Sequence, residues 1–234
     1  MNCLIVTLDG PAGSGKSTVA RRLARRMGLE FLDTGAMYRG LTAVCLDHGI
    51  NPAEHTDRAI ELARAAQLRF DWRADPPRLE INAGDGFVGM TDRLRDPDVT
   101  QKVSVIAALP QVRQLLVEAQ RRIGQEHPEL VSEGRDQGSI VFPDARVKFF
   151  LDAAPQVRAH RRFEQLRRLG KSADEQQTLD ALLRRDHYDS NRADGPLICP
   201  DDAIRIDTSN MTLNQVVDHL HDYVRRRIGE GGGC

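Results

Sequence analysis

The chain has 234 residues, of which 40% are hydrophobic, so it is long enough for one sizeable core with a small insert. Lysine plus arginine (33) nearly balances aspartate plus glutamate (34), which argues against the broad basic field of a non-specific nucleic-acid binder. The four cysteines are far apart and the histidines show no zinc-site spacing, so we expect a reducing, cytoplasmic location without a disulfide framework. The first apolar run has only six residues (3–8), too short for a signal peptide or a membrane span.

A glycine-rich loop lies between a predicted strand and a predicted helix near the start of the chain. Residues 3–8 are apolar and branched, as in a buried parallel strand, and residues 19–27 have helical spacing. The sequence between them fits the phosphate-loop pattern G-x-x-x-x-G-K-[ST]. The predicted ATP-binding residues are Gly10, Pro11, Ala12, Gly13, Ser14, Gly15, Lys16, Ser17 and Thr18.

The chemistry of this loop suits a triphosphate. Its backbone N–H groups and the start of the following helix attract phosphate oxygens. Lys16 adds a mobile charge for the outer phosphates, and the Ser17 hydroxyl suits a Mg²⁺ ion shared with them. The alternative is a glycine turn that binds nothing, which the flanking strand and helix disfavour.

A second group of polar side chains follows the first helix. Gly28 is a predicted helix C-cap, and residues 30–32 form a second short strand. The start of a helix predicted over residues 36–48 follows, and it contains or adjoins Thr34, Tyr38 and Arg39. The hydroxyl, aromatic and guanidinium groups of these side chains could all contact one ligand. Alternatively, Asp33 or Thr34 only caps this helix and Tyr38 is part of the core.

In the middle of the chain the spacing of the hydrophobic residues changes from a helical pattern to strict alternation. A helix is predicted over residues 52–68, followed by period-two runs separated by Pro and Gly turns up to residue 90. We predict a small antiparallel insert of about three strands at 68–100. It would either exclude water from a transfer reaction beside the phosphate loop or have no part in the reaction.

Two further helices and a charged turn come next. Helices are predicted over residues 99–108 and 112–123, and Ser104 and Arg113 flank the break between them. A buried strand at 130–132 ends in a turn that contains Arg135 and Asp136. Ligands collect at the carboxyl edge of open parallel sheets, although a plain surface ion pair is the alternative here.

The last third of the chain is rich in arginine. A strand at 147–151 precedes a helix from Gln156 with five arginines and one acid, and a turn separates it from a second helix at 179–189. Such a run is often a solvated face, but two arginine-bearing helices joined by a turn could close over phosphates as a lid. A strand at 203–206 and a helix at 213–228 follow, and residues 229–234 are predicted to form a disordered tail.

Taken together, these motifs resemble the bacterial cytidylate kinases, which phosphorylate CMP and dCMP. The resemblance covers nearly the whole chain. It is carried by Asp9-Gly10-Pro11 with the phosphate loop, residues 32–39, residues 104–113 around Pro110, Gly134-Arg135-Asp136 with residues 141–145, residues 158–162, and Arg185-Asp186 leading to Asp189 and Arg192. Gln137 and Ser139 depart from the commonest family pattern, which has an apolar residue and a threonine, and residues 93–95 match the end of the insert loosely.

The resemblance implies roles for individual residues. Thr34, Tyr38 and Arg39 match the groups that hold the acceptor nucleotide, with Arg39 and Arg135 expected on its phosphate and Tyr38 against its sugar and base side. Ser104, Arg113 and Asp136 match positions that read the cytosine edge. Asp189 and Arg192 match residues at the pentose, and Arg161 and Arg185 match arginines that act with Lys16 in catalysis on the transferred phosphate.

The resemblance also implies the architecture and partners. We expect an α/β fold of the P-loop NTPase type, in which helices flank a parallel sheet of about five strands, with a small antiparallel insert and an arginine-rich helical lid. The predicted core is 1–67 and 101–228, with the lid at about 156–192 and the monophosphate-binding insert at 68–100. The expected protein is a monomeric, cytoplasmic enzyme of pyrimidine nucleotide metabolism that uses ATP, Mg²⁺ and CMP or dCMP, and binds neither nucleic acid nor membrane.

Two rival functions share some of these features. A kinase for UMP, AMP or shikimate would also have the loop and lid. A P-loop binding module whose arginines grip a polynucleotide would show steeply salt-dependent binding, although the near-neutral net charge argues against it.

Overall fold

The protein is described by a computed structural model that covers residues 4–168 and 170–230. It divides into two compact units. The first is formed by the chain up to Glu30 and from Pro128 onward, and the second by Phe31–His127. The strands are β1 (Leu4–Asp9), β2 (Glu30–Asp33), β3 (Gln67–Asp71), β4 (Arg78–Asn82), β5 (Phe87–Gly89), β6 (Glu129–Glu133), β7 (Val147–Asp152) and β8 (Ile204–Asp207). The α-helices are α1 (Lys16–Met27), α2 (Thr34–Asp47), α3 (Thr56–Ala65), α4 (Pro97–Ala108), α5 (Pro110–Glu126), α6 (Pro155–Arg168), α7 (Glu175–Asn191) and α8 (Leu213–Glu230).

A five-stranded sheet has the order β2-β6-β1-β7-β8, and β1 pairs in parallel with both β6 and β7. Its central strands are mostly apolar and almost fully buried, as expected when helices cover both faces. The sheet confirms the predicted fold class. Because its strands are parallel, their carboxyl ends meet at one edge, where the phosphate loop follows β1.

Gly10 allows the chain to turn sharply as it leaves β1. Its φ is +144°, and a Cβ atom at this position would lie 2.0 Å from the Leu151 carbonyl oxygen of β7. Any side chain would therefore displace the backbone of a central strand. Gly28 ends α1 in the left-handed conformation, as predicted.

The second unit contains the predicted small antiparallel sheet, with the order β3-β4-β5. β4 directs Leu79 and Ile81 towards α2, where a Cβ on Gly40 would lie 2.6 Å from Leu79 and 2.7 Å from Ile81. The glycine thus lets strand and helix pack closely. The sheet confirms the predicted insert strands.

Element boundaries differ from prediction in several places. The helix predicted over residues 52–68 is confined to α3, because the Asn51 side chain accepts from the Ala53 amide in a turn and Ala66 is already extended. Residues 137–141 form a π-helical turn and residues 93–95 a 3₁₀ turn, neither of which was predicted. Helix α8 extends to Glu230, two residues beyond its predicted end; the rest of the predicted tail, 231–234, lies outside the described residues. Within the described ranges, no helix combines the length and apolarity that crossing a membrane requires.

Candidate active site

The phosphate loop holds a buried lysine. Lys16 is 5% exposed, and its Nζ donates to the Pro11 carbonyl oxygen at 2.7 Å and to Ser14 Oγ at 3.3 Å. Burial, helped by the positive charge of Arg135, lowers the pKa of Lys16 to about 7, although Glu133 opposes the shift. Because burial disfavours its charged form, an anionic group bound next to Lys16 would stabilise the ammonium ion.

Ser17 and Glu133 form a pair beside the loop. The Ser17 hydroxyl donates to Glu133 Oε1 at 2.5 Å, and Glu133 is 4% exposed at the last position of β6. A hydroxyl and a carboxylate at this spacing are oxygen donors of the kind that Mg²⁺ prefers. Glu133 was not among the predicted site residues, although its place at the end of a buried strand at the ligand-binding edge was a usable signal.

Asp9 fixes the turn that follows β6. Its two carboxylate oxygens accept from the backbone N–H groups of Gln137, at 2.9 Å, and Gly138, at 2.7 Å. Burial raises the pKa of Asp9 to about 6, against the two backbone hydrogen bonds. The strand that leads into the phosphate loop therefore also anchors the turn that contains Arg135 and Asp136.

Predicted acceptor-binding and catalytic residues of the first unit come together at this turn. Arg135 Nε donates to Asp189 Oδ2 at 2.9 Å, and Arg185 Nε lies 4.0 Å from the same oxygen. Arg192 Nη2 lies 3.9 Å from Asp136 Oδ2. Burial acts to raise the pKa of Asp189, but the charges of Arg135 and Arg185 outweigh it and hold that pKa below its ordinary value. The result is a cluster of three guanidinium groups and two carboxylates.

The two helices of the predicted lid, α6 and α7, contact the phosphate loop through Arg158 and Asp186. Arg158 Nη1 donates to the Ala12 carbonyl oxygen at 2.9 Å and to Asp186 Oδ2 at 2.5 Å, and Asp186 Oδ1 accepts from the Ala12 amide at 3.2 Å. Arg158 was not among the predicted site residues. Arg161 was among the predicted site residues, and it donates to the hydroxyl and carbonyl oxygens of Thr208 at 3.1 and 2.6 Å. Its role at the phosphates stays a prediction.

The second unit contains the other predicted acceptor residues. Asp33 accepts from the Ala36 amide and caps α2, as the alternative interpretation held, and it also binds Arg39 Nη2 with both oxygens, at 3.1 and 3.0 Å. The cap therefore also orients the arginine that is predicted to bind phosphate.

Further along the same unit, Arg113 Nη1 lies 3.4 Å from the Tyr38 hydroxyl, and both residues are buried. Thr34 is buried at the first position of α2, and Ser104 is half-buried on α4. That these side chains bind the acceptor stays a prediction.

Comparison with known proteins gives the family. The cytidylate kinase family model matches residues 6–226. The chain belongs to the cytidylate kinase family. The cytidylate kinase of Corynebacterium glutamicum is 45% identical over 93% of this chain and 92% of its own length, and that of Caldanaerobacter subterraneus is 39% identical over 94% of both.

A solved structure of an uncharacterized protein from Eubacterium ventriosum aligns with a TM-score of 0.53 at 14% identity, covering 96% of this chain and 99% of that chain. At this identity the likeness concerns the fold alone. Membership of the cytidylate kinase family confirms the predicted class, a nucleotide-binding phosphotransferase.

Proposed function

We propose that the protein transfers the γ-phosphoryl group of Mg-ATP to an α-phosphate oxygen of CMP or dCMP, giving CDP or dCDP. The observation that carries this proposal is that the phosphate loop and the turn with Arg135 and Asp136 lie at the same edge of the sheet. The phosphate loop with Lys16 follows β1, and the Arg135–Asp136 turn follows the neighbouring strand β6. Family membership supports the same assignment.

On the donor side, Lys16 and the loop amides would bind the outer phosphates of ATP. Ser17 Oγ and the Glu133 carboxylate would hold Mg²⁺ directly or through water, and the ion would neutralise charge on the phosphates. Lys16 would exchange its contacts with Pro11 and Ser14 for phosphate oxygens. The acceptor oxygen is already anionic, so the protein has to position charges and exclude water rather than remove a proton.

On the acceptor side, we assign the phosphate to Arg135 and the cytosine edge to Asp136. Cytosine presents an amino donor where uracil presents a carbonyl oxygen. A carboxylate buried like that of Asp136, 4% exposed, accepts from the amino group but repels the carbonyl, at a cost of about 1–3 kcal/mol. This difference predicts a preference for CMP and dCMP over UMP.

The decisive experiment measures ADP release with ATP and CMP, dCMP, UMP or AMP in parallel. We expect kcat/KM to be highest for CMP or dCMP. A higher value for UMP or AMP would refute the assignment, and the absence of turnover together with salt-dependent oligonucleotide binding would favour the rival P-loop binding module.

Binding of ATP at pH 8 is expected to take up about one proton. With a pKa of about 7 in the nucleotide-free protein, Lys16 is charged below pH 7 and about nine-tenths neutral at pH 8, and the phosphates should restore its charge. Calorimetric titration with a non-hydrolysable ATP analogue, in two buffers of different ionisation enthalpy, measures this uptake. The Lys16→Met variant, saturated with the analogue, should show almost none; an unchanged uptake would place the proton elsewhere.

A further inference from the structure

Gln137 is a buried polar side chain next to the residue assigned to the base. It is 1% exposed and begins the π-helical turn that follows Asp136. A buried primary amide is costly unless its oxygen and its NH₂ group both have partners, so its contacts indicate what it does.

The Gln137 side chain connects the sheet interior with Asp136. Ser132, fully buried on β6, donates its hydroxyl to Gln137 Oε1 at 2.7 Å. This contact directs the amide oxygen towards Ser132 and the NH₂ group towards the turn. There Gln137 Nε2 lies 3.4 Å from Asp136 Oδ1.

The Asp136 carboxylate is thus approached from two sides. Gln137 Nε2 faces Oδ1, and Arg192 Nη2 lies 3.9 Å from Oδ2. The backbone of Gln137 is itself held, because its N–H donates to Asp9 Oδ1. The amide is therefore anchored at the backbone and at its oxygen, and its NH₂ group is a fixed donor to Asp136 rather than a mobile one.

We propose that Gln137 is a positioning residue that sets base selectivity, because the Ser132–Gln137 relay holds Asp136 in the orientation that accepts an exocyclic amino group. The proposal rests on the assignment of Asp136 to the cytosine edge. It extends that assignment by making discrimination between amino and carbonyl pyrimidines depend on a side chain that acts through Asp136. An apolar residue at position 137 could not form this relay.

The test is Gln137→Met, which keeps the volume of the side chain and removes both polar groups. We expect the KM for CMP to rise about 3–10-fold, the worth of one hydrogen bond, with kcat and the KM for UMP within about twofold. The ratio of kcat/KM values for CMP and UMP should therefore fall about 3–10-fold. The matched control is Ser139→Ala in the same turn, since Ser139 Oγ is buried without a hydrogen-bond partner among the described residues; it should leave the ratio unchanged.

A second variant covers the case in which Gln137→Met does not fold. Ser132→Ala removes only the group that orients the amide, so it should shift the ratio in the same direction by less, and the double variant should be no worse than Gln137→Met alone. A purely structural role would lower the melting temperature and reduce kcat with both acceptors equally, which would overturn the proposal, as would an unchanged ratio in both variants. A wild-type protein without preference for CMP over UMP would instead refute the assignment of Asp136 itself.

Discussion

Replacing Lys16 by alanine is expected to lower kcat by about a thousandfold while leaving the affinity for CMP within about threefold. Removing one preorganised charge-stabilising donor costs about 10²–10³ in kcat, and in the proposed reaction Lys16 would offer a full charge to the phosphoryl group as it is transferred. Within the loop, residues 10–18, Lys16 is the one residue whose side chain carries a positive charge. Steady-state turnover with CMP, together with calorimetric titration of CMP alone, separates the two effects.

The matched control for this variant is Arg25→Ala. Arg25 is an exposed cation on the same helix, α1, so its loss changes net charge equally without affecting the loop. It should leave kcat within about twofold, as most exposed substitutions change little. If Lys16→Ala instead lost CMP binding as completely as turnover, with a lowered melting temperature, damage to the fold rather than loss of a catalytic charge would explain it.

The phosphate loop and its surroundings could be predicted from sequence because their signals are local. Strand, loop and helix follow one another within residues 4–27, and each has its own pattern. The small sheet was predictable for the same reason, since Pro and Gly turns separate its strands. The boundaries of α3 were harder to predict from sequence. The residues after Asn51 fit a helical pattern, but the turn at Asn51 forms there instead.

The arginines of the predicted lid show why spacing alone does not assign a role. Arg158 and Arg161 are three residues apart, so helical geometry places them on neighbouring positions of one face. In the structure Arg158 reaches the loop at Ala12, whereas Arg161 binds Thr208, which follows β8. The choice depends on which element packs opposite each turn of α6, and that information is tertiary.

The π-helical turn at residues 137–141 was missed for a related reason. The backbone N–H groups of Gln137 and Gly138, the first two residues of the turn, donate to Asp9. Asp9 lies 128 and 129 residues away from them in the chain. No pattern within the turn reveals that a carboxylate will capture these amides. The same holds for the Ser17–Glu133 pair, whose members are 116 residues apart and meet only because β1 and β6 are neighbours in the sheet.

Asp136 is the residue for which a substitution should change specificity rather than only reduce activity. It is buried and follows the end of β6, with Arg192 and Gln137 beside its two oxygens. A carboxylate can only accept hydrogen bonds, whereas an asparagine amide can also donate. Alanine and asparagine at this position therefore test different aspects of base recognition.

We expect Asp136→Ala to raise the KM for CMP about 10–100-fold, the worth of a hydrogen bond to a buried charge, while the KM for UMP changes by less than about threefold. Asp136→Asn should raise the KM for CMP similarly but lower that for UMP, because its NH₂ group can donate to the uracil carbonyl oxygen. The comparison is made from kcat and KM for both acceptors, with Asp201→Ala as the control, since Asp201 is an exposed acid of the same unit. If both Asp136 variants kept the wild-type ratio of kcat/KM values, the carboxylate would not read the base. The exclusion of uracil would then have to come from the shape of the site, because the charge at position 136 would have no effect on which pyrimidine is accepted.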